Sequence, residues 1–153
     1  MSRPQQVAEL TDHLGFWLRM VSNHVSHSFS RRLEGEGVTV AEWVVLRELY
    51  GTDPLAPSRL AERLGMTRGA ISKLADRLMA KGLVARADDP RDGRAHSLSL
   101  SSAGLGLVPM LARLADENEA AIFGCLCAED RSRLEQALKK IAQARGLNDP
   151  PLT

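Results

Sequence analysis

Ser58-Arg59-Leu60-Ala61-Glu62-Arg63-Leu64, then Gly65-Met66-Thr67, then Arg68-Gly69-Ala70-Ile71-Ser72-Lys73-Leu74-Ala75-Asp76-Arg77-Leu78-Met79-Ala80 decide the fold. The first run places Leu60, Ala61 and Leu64 on one helical face and stops at Gly65. Thr67 is positioned to cap a second helix whose inner face is Ile71, Leu74, Ala75 and Leu78, and Gly82 supplies its stop. Two short strands, Leu83-Val84-Ala85-Arg86 and His96-Ser97-Leu98-Ser99-Leu100, then flank Asp89-Pro90-Arg91-Asp92-Gly93-Arg94. The second strand alternates in period two. Helix, tight turn, helix and ribbon, in that order, make a winged helix-turn-helix, a shape whose second helix fits a DNA major groove.

Upstream, Pro57 suits the first position of the helix it opens, where a missing amide proton costs nothing. Leu55 is expected in a short edge strand, after a turn at Gly51-Thr52-Asp53-Pro54. Thr39-Val40-Ala41-Glu42 has the form of a capping box, with a hydroxyl for one orphan amide and a carboxylate returning to another. It opens a helix from Val40 to about Tyr50. Apolar residues at 7, 10, 14, 17, 18, 21, 25, 29 and 33 keep the three-and-four spacing of one stripe. They predict a first helix of roughly 28 residues, about 42 Å long. Downstream, a fifth helix is expected from Ser101 or Ser102 to about Phe123. A sixth opens near Cys127 with Leu134, Ala137, Leu138 and Ile141 as its stripe.

The expected architecture is therefore mainly α: a winged helix-turn-helix over 38–101, a helical dimerisation region from 5–35 and 102–146, and a loose tail, 147–153. A dimer follows from size. A helix of about 42 Å cannot pack its whole length on a unit whose radius of gyration is near 13 Å, so the terminal stripes need another surface. A two-fold copy of the same chain supplies one.

Net charge is +1 over 153 residues, but residues 58–96 hold nine Lys/Arg and five Asp/Glu, a local +4 against −3 elsewhere. The positive charge coincides with the groove-reading shape, as an electrostatic footprint does. No run is long and apolar enough for a membrane span, the N-terminus lacks the apolar core of a secretion signal, and a cytoplasmic location is expected. Cys125 and Cys127 are too few and too close for a disulfide framework and are expected to be buried structural thiols, with redox sensing as the alternative.

On the second helix of the motif, Arg68, Gly69, Ser72, Lys73, Asp76 and Arg77 lie away from the apolar stripe. Arg68, at the helix start, is placed to meet base edges, where a bidentate contact to guanine is worth ~1–3 kcal/mol of discrimination. Gly69 lets the backbone approach. Thr67 or Ser72 can bond a phosphate, and Lys73 and Arg77 resemble phosphate anchors. Any of these taken singly is equally an ordinary exposed helix residue. In the wing, Pro90-Arg91-Asp92-Gly93 is a turn sequence that puts Arg94 near the tip, where a guanidinium can enter a narrow minor groove. Asp92 is close enough to orient Arg94.

These pieces together resemble the MarR family of bacterial transcriptional regulators over roughly residues 7–145. The likeness is carried by Val38-Thr39-Val40-Ala41-Glu42-Trp43, Leu60-Ala61-Glu62-Arg63-Leu64-Gly65, Thr67-Arg68-Gly69-Ala70-Ile71-Ser72 and Leu78-Met79-Ala80-Lys81-Gly82-Leu83-Val84. Its strongest part is Asp89-Pro90-Arg91-Asp92-Gly93-Arg94, which is similar to the family's wing. Ala56 departs from the family's usual Ser/Thr helix cap, and so does Cys127. The resemblance implies a homodimer on double-stranded DNA with a pseudo-palindromic operator. It also implies repression relieved by a small aromatic or anionic effector bound between the dimer and DNA-binding regions. Trp17, His24, His27, Trp43 and Arg47 are the effector candidates, although tryptophans at stripe spacing are more often plain core.

No cofactor is expected. His24 and His27 share a helix face, but two ligands are too few for a metal site. No Gly-rich phosphate loop, carboxylate pair or nucleophile elbow argues for an enzyme or for catalytic residues. The competing class is a winged-helix module that docks protein and never touches DNA. Such modules usually lack a basic recognition helix beside an Arg-tipped wing.

Overall fold

The computed structural model describes residues 5–89 and 92–147, with the side chains of 89–95 left outside it. Six helices and one ribbon follow in chain order: α1 Leu14–Glu34, α2 Val40–Leu49, α3 Pro57–Leu64, α4 Arg68–Ala80, β1 Val84–Asp89, β2 Asp92–Leu100, α5 Ser102–Phe123 and α6 Ala128–Ala144. The two strands pair antiparallel from Val84↔Leu100 to Asp89↔Asp92. They run further than the apolar alternation predicts, so Asp92, Gly93 and Arg94 stand in β2 rather than in the turn. The loop between Asp89 and Asp92 lies outside the described residues. Leu55 contributes a single bridge to Leu98, not a strand of its own.

The core sits where α2 meets α3, α4, the ribbon and the first half of α5. It is built from Leu33, Val45, Leu46, Leu60, Ile71, Leu78, Leu98, Val108 and Leu111 among others. Each helix of the motif ends as its residues dictate. Thr67 Oγ1 accepts from the Ala70 amide at 3.1 Å. Gly65 takes φ 62° and Gly82 φ 72°, a backbone shape that costs glycine least. After α4, the Leu83 amide bonds the Leu78 carbonyl and the Gly82 amide that of Met79, the paired closure of a glycine-ended helix.

Four expectations are corrected. The first helix starts at Leu14, so it has 21 residues and about 32 Å rather than 42. Before it, Leu10–Asp12 form a 3-10 turn and His13 is extended. The apolar spacing does not register this break, because local side-chain bonds set it: Asp12 accepts from the Glu9 amide and Trp17 Nε1 donates to the Thr11 carbonyl. The box at α2 is half formed. Thr39 Oγ1 accepts from the Glu42 amide, but the Glu42 carboxylate receives the Thr39 hydroxyl and Lys81 Nζ instead of returning to an amide. Cys125 and Cys127 are exposed thiols, not buried ones, because the α5–α6 junction projects beyond the core. Cys127 does serve as the α6 cap, its Sγ accepting from the Asp130 amide at 3.4 Å. Finally, Leu55 makes a bridge rather than an edge strand, since Pro54 and Pro57 on either side leave little chain to pair.

Candidate nucleic-acid interface

α4 is two-sided. Ile71, Leu74, Ala75 and Leu78 are buried, while Arg68, Gly69, Ser72, Lys73, Asp76 and Arg77 are exposed on the opposite face. Thr67 is exposed at its cap. A helix has room for such a division because neighbours three and four apart share a face. The core thus fixes α4 by its apolar stripe and presents the candidate positions together, with Asp76 beside them. An acidic side chain there repels phosphate but can accept from a cytosine amino group.

Ion pairing separates the cations that the fold engages from those it leaves outward. Arg63 reaches Glu48 at 3.3 Å, Arg59 reaches Glu62 at 3.8 Å and Arg86 reaches Asp88 at 3.8 Å. Lys81 lies 2.6 Å from Glu42, which is 1% exposed. Charge counting missed that pairing; an acid at position 42, one turn before Leu46 on the inward face, was its only signal. Among the described residues Arg68, Lys73 and Arg77 form no ion pair. Arg91 lies outside the described residues, as do the side chains of Asp92 and Arg94 and any contact between those two.

Gly69 has no structural reason in the chain itself. It is helical, and a Cβ there would meet nothing within 4 Å. Gly104 is the opposite case, since a Cβ would collide with the Leu83 carbonyl oxygen.

A second feature lies on the terminal helices. An open groove of about 640 Å³ runs between α1 and α6, lined chiefly by Leu14, Trp17, Leu18, Val21, Leu134 and Ile141. α6 has no buried residue and α1 only Leu33. Leu14 is 87% exposed, and Leu18 and Ile141 are 54% exposed. Of the five effector candidates the groove takes in Trp17 alone. Trp43 packs edge-on against Phe29, 6.3 Å between ring centroids. Since Phe29 is 12 residues after Trp17, about 18 Å along α1, the two tryptophans do not share a wall. His24, His27 and Arg47 are exposed. No helix among the described residues is long and apolar enough to cross a membrane.

Residues 36–95 match the model of the MarR family. The HTH-type transcriptional regulator PrsX of Escherichia coli is 28% identical over 133 residues, covering 85% of this chain and 80% of that protein. A probable transcriptional regulator from Pseudomonas aeruginosa, solved by crystallography, is similar with a TM-score of 0.77 at 28% identity. The match covers 87% of this chain and 99% of that one. MepR of S. aureus, crystallised with DNA, also gives a TM-score of 0.77, at 25% identity over 86% of this chain and 98% of that one.

Proposed function

We propose a mechanism from one premise: the chain belongs to the MarR family and is a winged-helix transcriptional regulator. Two copies join through α1, α5 and α6, and each offers α4 to the major groove and its wing to the flanking minor groove of one pseudo-palindromic operator. Residues 38–101 form the DNA-reading unit, and 5–35 with 102–146 the dimerisation region. The observation that carries this is the outward face of α4, where Arg68, Lys73 and Arg77 have no acidic partner among the described residues. Arg68 reads base edges. Thr67, Ser72, Lys73 and Arg77 hold phosphates, and Gly69 admits the backbone. Arg91, Asp92 and Arg94 are assigned to the wing contact on their sequence alone.

The apolar groove supports the dimer. Side chains as exposed as Leu14, Leu18 and Ile141 gain ~1 kcal/mol or more each when covered. A homodimer also gives the two half-sites a protein symmetry to match. The output is repression, relieved when a small aromatic or anionic effector binds. Trp17, His24, His27, Trp43 and Arg47 remain its candidate contacts, with tryptophan quenching as the probe. The protein acts by binding rather than catalysis, in the cytoplasm, where the DNA is.

Selection of bound duplexes from a random pool tests the reading. Wild-type protein is expected to enrich an inverted repeat. Arg68→Ala is expected to relax preference at defined base pairs, whereas a uniform loss across sequences makes Arg68 a phosphate anchor. Failure to enrich any duplex overturns the assignment.

A further inference from the structure

We propose that Lys81, with Glu42 and Ser101, forms a positioning set. It fixes the tilt of α4 against the helices that carry the partner copy, and thereby the spacing between the two recognition helices. The inference rests on the dimeric, DNA-binding reading above.

The three residues after α4, Lys81-Gly82-Leu83, are gripped from two sides. On one side Lys81 Nζ donates to Glu42 Oε2 at 2.6 Å and to the Gly37 carbonyl at 2.7 Å. Gly37 lies in the corner that joins α1 to α2, and Glu42 is in the first turn of α2. On the other side Ser101 Oγ donates to the Gly82 carbonyl at 2.6 Å, and the Ser101 amide donates to that of Leu83 at 3.0 Å. The same Ser101 Oγ caps α5 by accepting from the Gly104 amide. The missing side chain of Gly104 lets α5 rest on the Leu83 carbonyl. So α1, through Gly37, and α5, through Ser101 and Gly104, converge on one turn. Those two helices are the ones that lead to the groove, α1 directly and α5 through Phe123 at its end.

The chemistry of the grip favours direction over adhesion. A carboxylate that is 1% exposed is a costly means of holding a helix end, because an apolar pair of similar volume packs as well. A charge-assisted hydrogen bond contributes a defined geometry that an apolar contact lacks. The lever is long. Arg68 precedes Lys81 by 13 residues, about 20 Å of helix. A tilt of ~10° about Lys81 therefore moves Arg68 by about 3.5 Å, close to the ~3.4 Å rise of one base pair. Slack at the anchored end becomes a full base-pair error at the reading end.

The test uses full-length protein and a duplex that wild type selects from a random pool, remade with its half-sites one base pair closer and one further apart. Affinities are measured by fluorescence anisotropy below each protein's melting temperature, with dimer mass checked in parallel. Wild type is expected to lose about tenfold or more on either altered duplex, since preorganised heads cannot follow the change. Glu42→Gln and Lys81→Met are expected to lose about tenfold on the native spacing, while their penalty for altered spacing shrinks to within about threefold. Lys81→Arg, which restores a donor, is expected to recover wild-type discrimination. A folded, dimeric Glu42→Gln protein with the wild-type spacing penalty overturns the proposal. If Lys81→Met does not fold, Ser101→Ala applies the same test from the α5 side, and an unchanged spacing penalty there counts equally against it. A wild type that selects no duplex overturns the DNA reading itself, and this inference falls with it.

Discussion

Replacing Leu138 with glutamate sets a carboxylate in the middle of the α1–α6 groove and is expected to separate the dimer without unfolding the chain. Leu138 is 42% exposed in the single copy, so covering the remainder is worth about 1 kcal/mol, from ~2.5 kcal/mol for a whole leucine. A two-fold interface counts the loss twice, about 2 kcal/mol. The introduced charge costs more than the lost apolar contact. The groove lining has no basic residue to receive it, and the effective penalty for enclosing an unpaired ion is several kcal/mol. A total of about 6 kcal/mol raises the dimer dissociation constant by roughly four powers of ten. Light scattering across a dilution series reads this directly, as a fall from twice 16.7 kDa to 16.7 kDa. Helix content is expected to hold, because no residue of α6 belongs to the buried core. Gln136→Glu, which adds the same charge on the opposite face of α6, is expected to leave the mass unchanged. A Leu138→Glu protein that dimerises as tightly as wild type would refute the assignment of this groove to the partner copy.

Three other perturbations each probe one interaction. Gly69→Ala is expected to raise stability by ~0.5–1 kcal/mol, since the helix gains a residue that loses less entropy and its Cβ meets nothing. The same change is expected to weaken duplex binding, and unaltered affinity removes Gly69 from the interface. Gly104→Ala drives a Cβ into the Leu83 carbonyl and is expected to cost about 2 kcal/mol. That corresponds to a melting temperature lower by roughly 4–8 °C in a thermal scan, and an unchanged melt contradicts the close approach. On α6, the hydrogen bond from Lys139 first, then its charge, holds the Glu135 carboxyl below the ordinary glutamate range. Whatever stability this pair adds is present above the unfolded glutamate pKa and is lost as pH falls through the depressed one. Lys139→Met is expected to move the Glu135 titration upward by carboxyl-carbon NMR, and no movement dismisses the pairing.

The winged unit was legible because its signals are local and redundant. Gly65, Thr67 and Gly82 punctuate helices whose apolar stripes also point inward, so propensity, capping and burial agree at each boundary. The exposure of Arg68, Ser72, Lys73 and Arg77 followed from the same stripe. What was not legible depended on contacts between distant residues or on bonds that periodicity does not see. The Lys81–Glu42 pair joins positions 39 apart, and its lysine counted as one more surface charge until α2 and α4 were packed together. The break at His13 arises from Trp17 and Asp12 bonding the backbone, while the residues on both sides keep helical spacing. Cys125 and Cys127 looked like buried thiols because their type is usually inside, but the α5–α6 junction where they sit stands clear of the core.

The central claim is that two cationic reading heads hold a duplex through its phosphates. The most direct test is the affinity of wild-type protein for its selected duplex as salt is raised. If six to ten phosphates are neutralised, the logarithm of the binding constant falls linearly with the logarithm of salt, by ~10³–10⁵ between about 50 and 200 mM. Binding that is absent in the most dilute buffer, or that does not respond to salt, contradicts the claim.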